Sequence, residues 1–342
     1  MKIGVAAAAA FLLAACHSPT PRPYYRSRAP EFVEQRSAVT ADLRAVAAID
    51  EQTAWASGTG GTWLRTIDAG RTWSSGTIPG AEQLDFRSLA AFDSRRALVL
   101  SAGTPARMFR TDDAGASWRE VYRNDAPQIF FDAVRFADDS RGYALADPIG
   151  DRFVLLETTD AGETWHELPG PAAQPGEGAF AASNSALAAR GDVLWFGTGG
   201  STARILRSPD RGRTWSAVVA PVPSGAPSEG IFALAFASDQ RGALVGGDYR
   251  KPGAPGAFAV TDDGGVTWKA GPPPPGYRSS LVFLNRARVV ATGSSGTDWA
   301  DPDGRWRRMG AGMNALSSRG RSGWAVGPKG SIARFRFDVD GP

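Results

Sequence analysis

Five aspartates stand at the same point of a stretch that recurs almost unchanged: Asp68 in TIDAGRTW, Asp113 in TDDAGASW, Asp160 in TTDAGETW, Asp210 in SPDRGRTW and Asp263 in TDDGGVTW. A carboxylate among hydroxyls is the material of general acids and calcium ligands, so this box is where chemistry would first be sought. Its spacing argues against that. The closing tryptophans, Trp73, Trp118, Trp165, Trp215 and Trp268, follow one another at intervals of 45, 47, 50 and 53 residues, a period that marks one supersecondary unit per copy. Equivalent turns carried around a repeat array cannot converge on one substrate. A structural role accounts for every residue of the box. The Asp accepts N–H groups of its own turn as in an Asx turn, the Gly permits a positive φ, and the Trp buries its ring between neighbouring sheets.

The rest of the catalytic repertoire is thin. Cysteine occurs once, at Cys16, and histidine twice, at His17 and His166, which argues against a metal site and against a Ser-His-Asp triad. No G-x-G-x-x-G follows a strand and opens a helix, so no nucleotide cofactor is expected. The net charge of +3 comes from arginines scattered through every repeat, and nucleic acid is not an expected partner.

Lys2, the apolar run from Ile3 to Leu13 and the sequence Leu13-Ala14-Ala15-Cys16 resemble a bacterial lipoprotein signal. The run is too short to cross a bilayer as a helix but suits a signal peptide. In such proteins the cysteine, here Cys16, carries the lipid; an ordinary secretory signal with an incidental cysteine is the other reading. His17 in place of Asp after the cysteine points, for an enteric-type envelope, to a periplasm-facing lipoprotein of the outer membrane. Residues 1–16 are thus read as signal, 17–30 as a Pro/Arg-rich tether, and 31–342 as one domain.

The elements that must position any site follow from the spacers between boxes. Each unit offers an apolar first strand (LRAVAAID, FRSLAAFD, FDAVRFAD, GAFAASN, IFALAFAS, SSLVFLN), a second (TAWASG, RALVLS, GYALAD, VLWFGT, GALVGG, RVVATG) and a third (TWLRT, ARMFRT, FVLLET, ARILRS, AFAVT) before the box leads into a fourth. All are short, rich in Val, Leu, Ala and Phe, and bounded by turn residues. Four short antiparallel strands per unit is the signature of a β-propeller. Five units carry a full box. A sixth, from Tyr277 to about Met309, keeps Asp303, Gly304 and Trp306 in altered spacing, and a seventh starts at Met313 and ends at GSIARFRF without a fourth strand. The expectation is an all-β, seven-bladed propeller whose last blade is completed by EFVEQRSAV from the front of the chain, abolishing the open edge.

The boxes, together with GYALAD and WAVGPKG, resemble the BNR or Asp-box repeat and the photosystem II stability/assembly-factor-like family of propellers. That resemblance covers most of the chain from residue 31 onward. It implies the propeller fold and, for function, assembly or scaffold work; the same repeat occurs in sialidases and in secreted proteins of unrelated roles.

In a propeller the loops entering first strands and those joining second to third strands share the face opposite the boxes. Polar residues that differ blade by blade gather there: Arg44, Arg87, Asp132 and Asn314 at matching points of first strands, Glu177, Tyr277 and Arg278 beside that register, and Asp147, Thr198, Asp248, Tyr249, Arg250 and Asp298 in second-to-third loops. The long loop GGDYRKPGAPG of blade five is the expected lid or partner contact. Two functions fit. The first is a non-catalytic envelope lipoprotein, monomeric, that binds a protein or glycan partner on this face. The alternative is an envelope glycoside hydrolase. A sialidase-like one would use Arg44, Arg87 and Arg278 around a carboxylate, Tyr277 activated by Glu177 as nucleophile and an Asp as acid; paired carboxylates, Asp132 with Glu177 or Asp147, would serve another glycosidase.

Overall fold

The computed structural model describes residues 29–285, 288–301 and 304–337; Cys16, His17, most of the expected tether and Asp303 lie outside them. Seven antiparallel sheets form the ring. Blade one runs from Leu43–Ala48 to Ser74–Thr77, blade two from Asp85–Ala91 to Arg119–Asn124 and blade three from Phe131–Phe136 to His166–Leu168. Blade four runs from Leu187–Arg190 to Ser216–Val219, blade five from Glu229–Phe236 to Lys269–Ala270 and blade six from Ser280–Phe283 to Trp306–Gly310. Blade seven has only Ala315–Arg319, Ser322–Val326 and Ile332–Arg336 of its own, and its outer place is taken by Glu31–Gln35, paired antiparallel from Glu31 opposite Arg336 to Gln35 opposite Ile332.

Alternation along each strand sends one set of side chains into each neighbouring interface, and the result is seven apolar clusters for seven interfaces. Trp55, Trp63, Phe86 and Val99 fill the interface of blades one and two, and Leu145, Phe153, Leu155 and Phe196 that of three and four. Side chains of this size contribute roughly 1.5–3 kcal/mol each when fully buried. The box tryptophans are half-buried and join these clusters from the rim, as Trp118 does beside Trp55 and Trp63.

The boxes share one geometry. In blade two the Asp113 carboxylate accepts the Ser117 N–H at 2.9 Å, the Ser117 hydroxyl at 2.6 Å and the Thr111 hydroxyl at 2.9 Å, while Thr111 Oγ1 accepts the Gly115 N–H at 3.0 Å. Each box also docks on the preceding blade: Gly115, at φ +90°, leaves no room for a Cβ against the Trp63 ring, and the box carbonyl of Gly264 accepts the Trp195 indole N–H at 2.8 Å. These turns are therefore clasps between blades as well as within hairpins. The hydroxyls of Thr72, Ser117, Thr214 and Thr267 are the main cause that holds Asp68, Asp113, Asp210 and Asp263 at a pKa of about 2. At Asp160 burial opposes the same bonds, made by Thr164, and is outweighed, again leaving about 2.

One element departs from expectation. GAFAASN is not the first strand of blade four. Glu177–Gly178 pairs briefly with Gly199–Gly200, and the chain then leaves the sheet, the inner strand forming only at Leu187–Arg190. In between it crosses the central channel. Asn184 donates to the Leu89 carbonyl of blade two at 2.8 Å and accepts the Val134 N–H of blade three at 2.9 Å. The Ser185 carbonyl takes the Leu234 N–H of blade five, and the hydroxyls of Ser183 and Ser185 reach Ser279 and Ser280 at the edge of blade six. Only a segment inside the ring can meet all four blades. Small side chains let it pass, and unpaired edges of inner strands reward it.

Two outcomes follow. Asn184→Ala leaves two buried backbone groups unpaired and is expected to lower the unfolding free energy in urea by about 2–4 kcal/mol; a change within the roughly 0.5 kcal/mol of an ordinary surface substitution would contradict the crossing. Because the box carboxylates titrate lower in the folded than in the unfolded chain, their contribution is complete above the unfolded Asp value of about 3.9 and is lost as pH falls through about 2. The difference in urea midpoint between wild type and Asp113→Asn should hold from pH 6 to about 4.5 and shrink below it.

Candidate functional site

On the face opposite the boxes the ring opens into a cavity of about 1110 Å³, floored by Ala181 and Ala182 of the crossing segment. What aims side chains into it is a repeated irregularity of the inner strands. Register slips between Leu43 and Ala45, Phe86 and Ser88, Phe131 and Ala133, and Ile231 and Ala233 leave Arg44, Arg87, Asp132 and Phe232 as bulged residues. A bulge re-aims its side chain: Arg44, Arg87 and Phe232 line the cavity, whereas Asp132, with no exposed surface, does not.

The cavity has two chemically distinct sides. Arg44 and Arg87 come from blades one and two. Arg87 Nε donates to Asp85 Oδ2 at 2.7 Å, whereas the Arg44 side chain has no ion pair among the described residues and its Nε no hydrogen bond. Burial, together with the charge of Arg87, pulls the Arg44 pKa below its usual value against the opposing charges of Asp85 and Asp42. Opposite lies an aromatic shelf. Phe180 stacks on Phe232 with centroids 4.0 Å apart, Tyr277 meets Phe232 edge-on at 4.7 Å, and Tyr249, 43% exposed, stands over both. Asn314 lines the cavity while its amide donates to the Leu43 carbonyl at 2.9 Å.

The carboxylates are mostly committed elsewhere. Glu177 is held by Arg204, with Nε to Oε1 at 2.8 Å and Nη2 to Oε2 at 2.5 Å, and by the Thr198 hydroxyl at 2.6 Å; Thr198 itself is fully buried. Asp147, at the end of a second strand rather than in a loop, accepts the Ala179 N–H at 2.9 Å, and burial raises its pKa. Asp132 is 0% exposed, with neither oxygen hydrogen-bonded. Burial holds its carboxyl well above the usual range, the Asp147 charge pushes the same way and Arg87 opposes.

Several expected site residues are placed differently. Asp298 lies within the strand Gly296–Ala300, not in a loop, and forms a buried ion pair with Arg278. Neither lines the cavity. Asp248 ends the strand Gly242–Asp248, ties down its own turn through the Arg250 N–H at 2.9 Å and pairs with Lys251 at 3.3 Å, Arg250 being exposed. The blade-five loop is tied to the entry of blade six, where the Pro252 carbonyl accepts the Tyr277 N–H at 3.1 Å, and its Tyr249 lines the cavity. Tyr277 is buried, which pushes its phenol upward in pKa, and Glu177 is taken by Arg204. The sialidase-like set of three arginines, tyrosine and glutamate is therefore not assembled. Phe180 and Phe232 were not legible as site residues. Phe232 occupies the register of Arg44, Arg87 and Asp132, but an apolar residue there reads as core.

Comparisons with known proteins came out as follows. No family model matches the chain. Among curated proteins it is similar to a chloroplastic photosystem II stability/assembly factor of Arabidopsis thaliana, 29% identical over 192 residues, which are 54% of this chain and 40% of that protein. The chain thus spans about two fifths of the length of the curated relative it matches. Among solved structures it is similar to YCF48 from Cyanidioschyzon merolae (TM-score 0.62, 16% identity, 90% of this chain and 99% of that one) and to virginiamycin B lyase from Staphylococcus aureus (TM-score 0.67, 12% identity, 90% and 100%). At such identities the likeness speaks for the propeller fold alone.

Asp132 gives the bulge beside the cavity, in the inner strand of blade three, a titration signature. A carboxyl whose folded-state pKa is raised favours folding while protonated. Its contribution is whole below the unfolded value of about 3.9 and is lost as pH rises through the raised folded value. Asp132→Asn is therefore expected to gain stability relative to wild type as pH is taken from 4 to 8 in urea unfolding; a difference that stays constant with pH would show that Asp132 is not the buried, unpaired carboxyl described.

Proposed function

We propose that this chain is a non-catalytic binding propeller that takes a protein or glycan partner into the channel-face cavity. The observation that carries the reading is the cavity itself: a cationic side with Arg44, which has no ion pair among the described residues, faces an aromatic shelf from which Tyr249 stands out, 43% exposed. Arginine and aromatic anchors in a concave site are the groups that dominate association energies. The partial similarity to a protein named as a stability/assembly factor supports work of that type. A glycosidase of the paired-carboxylate kind would need two carboxyls open to one substrate, and Asp132 has no exposed surface while Glu177 is locked to Arg204. The boxes are read as Asp-box repeats and Cys16 as the lipidated residue of a periplasm-facing outer-membrane lipoprotein.

The test of the cavity avoids Arg278, whose buried pairing with Asp298 makes it part of the fold. Arg44→Glu combined with Tyr249→Ala changes two side chains without hydrogen-bonded partners in the ring and is expected to fold as wild type. In pull-down from the native envelope it should recover the partner at least tenfold less, the loss of about 1.4 kcal/mol that one good anchor supplies. Equal recovery overturns the proposal, as does hydrolysis of envelope glycans that disappears with Asp147→Asn. Cys16→Ala should move the protein from the membrane to the soluble fraction; unchanged fractionation rules the lipid anchor out.

A further inference from the structure

Beneath the crossing segment, on the box side of the channel, lies a second cavity of about 430 Å³ that shares no lining residue with the first. Ser183, Asn184 and Ser185 form its roof, and the inner strands of blades one, three, five, six and seven its walls. One charged side chain lines it among the described residues: Arg135, from the inner strand of blade three. Its guanidinium has no ion pair or hydrogen bond among them, and burial alone draws its pKa below the usual value, with no carboxylate acting against it. The neighbouring polar groups are spent. Asn184 uses both ends of its amide on Leu89 and Val134, the Ser183 hydroxyl donates to the Ser279 carbonyl, and that of Ser318 to Phe283. Ser317 accepts the Ala48 N–H at 2.9 Å and has its own O–H still to give.

A part-buried cation that lines a cavity without a counter-charge gains from an anion that pairs with it. No carboxylate lines the cavity among the described residues. We propose that this lower cavity is a binding site for a small aliphatic monocarboxylate, its carboxylate on Arg135. Charge and shape select this class. One guanidinium matches one carboxylate, in the planar two-bond geometry it favours, whereas a phosphate dianion would bring a second negative charge to a cavity with no other charged side chain in its lining among the described residues. The volume falls within the roughly 300–1,000 Å³ of small-molecule sites.

The test uses the full chain at fixed pH and ionic strength, with hexanoate as probe and hexanol and phosphate as controls. Hexanoate is expected to raise the thermal midpoint saturably, by about 2 °C at concentrations well above its dissociation constant, and the two controls are not. Arg135→Met should abolish the shift. That variant loses an unpaired charge and keeps the side chain's bulk, so it should unfold no earlier than wild type without ligand, and its silence cannot be ascribed to misfolding. Arg44→Met, which alters only the upper cavity, should keep the full shift even where partner recovery is reduced, which separates this site from the channel-face reading. A tripeptide with a free carboxyl terminus, beside its amide, distinguishes a chain end from a free acid, and an Arg135-dependent shift from either carboxylate supports the site. An equal hexanoate shift in Arg135→Met, no shift in wild type, or an Arg135-dependent response to phosphate alone would overturn it.

Discussion

The ring depends on one pairing made across nearly the whole length of the chain. Glu31–Gln35 lies against Ile332–Arg336, and until it does, blade seven has three strands and an open edge. The contacts around this seam are built to hold it. Gln35 donates to the box carbonyl of Ala69 at 2.8 Å, the Ser37 hydroxyl to Gly330 at 2.6 Å, and the Gly330 N–H to Ala41 at 2.7 Å. Farther in, Leu43 donates to Gly327 and Asn314 to Leu43. Blade one is thus tied to blade seven at the rim, mid-sheet and at the channel. Closing so long a loop costs entropy that grows only slowly with its length, and the return is a sheet system without the free edges that invite aggregation.

The same logic runs inward. Inner strands of a propeller face a channel with edges unsatisfied, and here hydroxyls and amides bridge them: Ser57 to Phe86, Ser88 to Asp132, Asn184 to Leu89 and Val134, and Ala48 to Ser317. These bonds are side chain to backbone, so they fix where the bulged residues sit without dictating what they are. Arg44, Arg87, Asp132 and Phe232 occupy one structural position with four chemistries. A constant scaffold with a variable position is how a repeat fold carries a specific site.

Much of the fold was legible because the box recurs at a steady period and the short apolar strands between copies keep their order. Blade count, the closing strand and the face that holds the cavity all follow from those two regularities. Blade four was misread because GAFAASN has the small, apolar, alternating look of an edge strand. What sends it across the channel is the hydrogen-bonding demand of four other blades, a non-local term that no window of sequence contains. The site was half legible. Arg44 and Arg87 stand out as charges in apolar strands, and they do line the cavity. Arg278 and Asp298 stand out equally but satisfy each other in the interior, since a charge in a strand pattern shows only that a partner is needed. Phe180 and Phe232 were invisible for the opposite reason: an aromatic residue that builds a shelf looks like one that fills a core.

The crossing segment has a consequence for the molecule's topology as a vessel. A propeller with an open axis is a pipe, and a solute admitted at one end can leave by the other. With Ala181 and Ala182 flooring one cavity and Ser183, Asn184 and Ser185 roofing the other, this ring is two cups set base to base. Each mouth meets its own surroundings, and each lining can be altered by substitution without changing what the other admits.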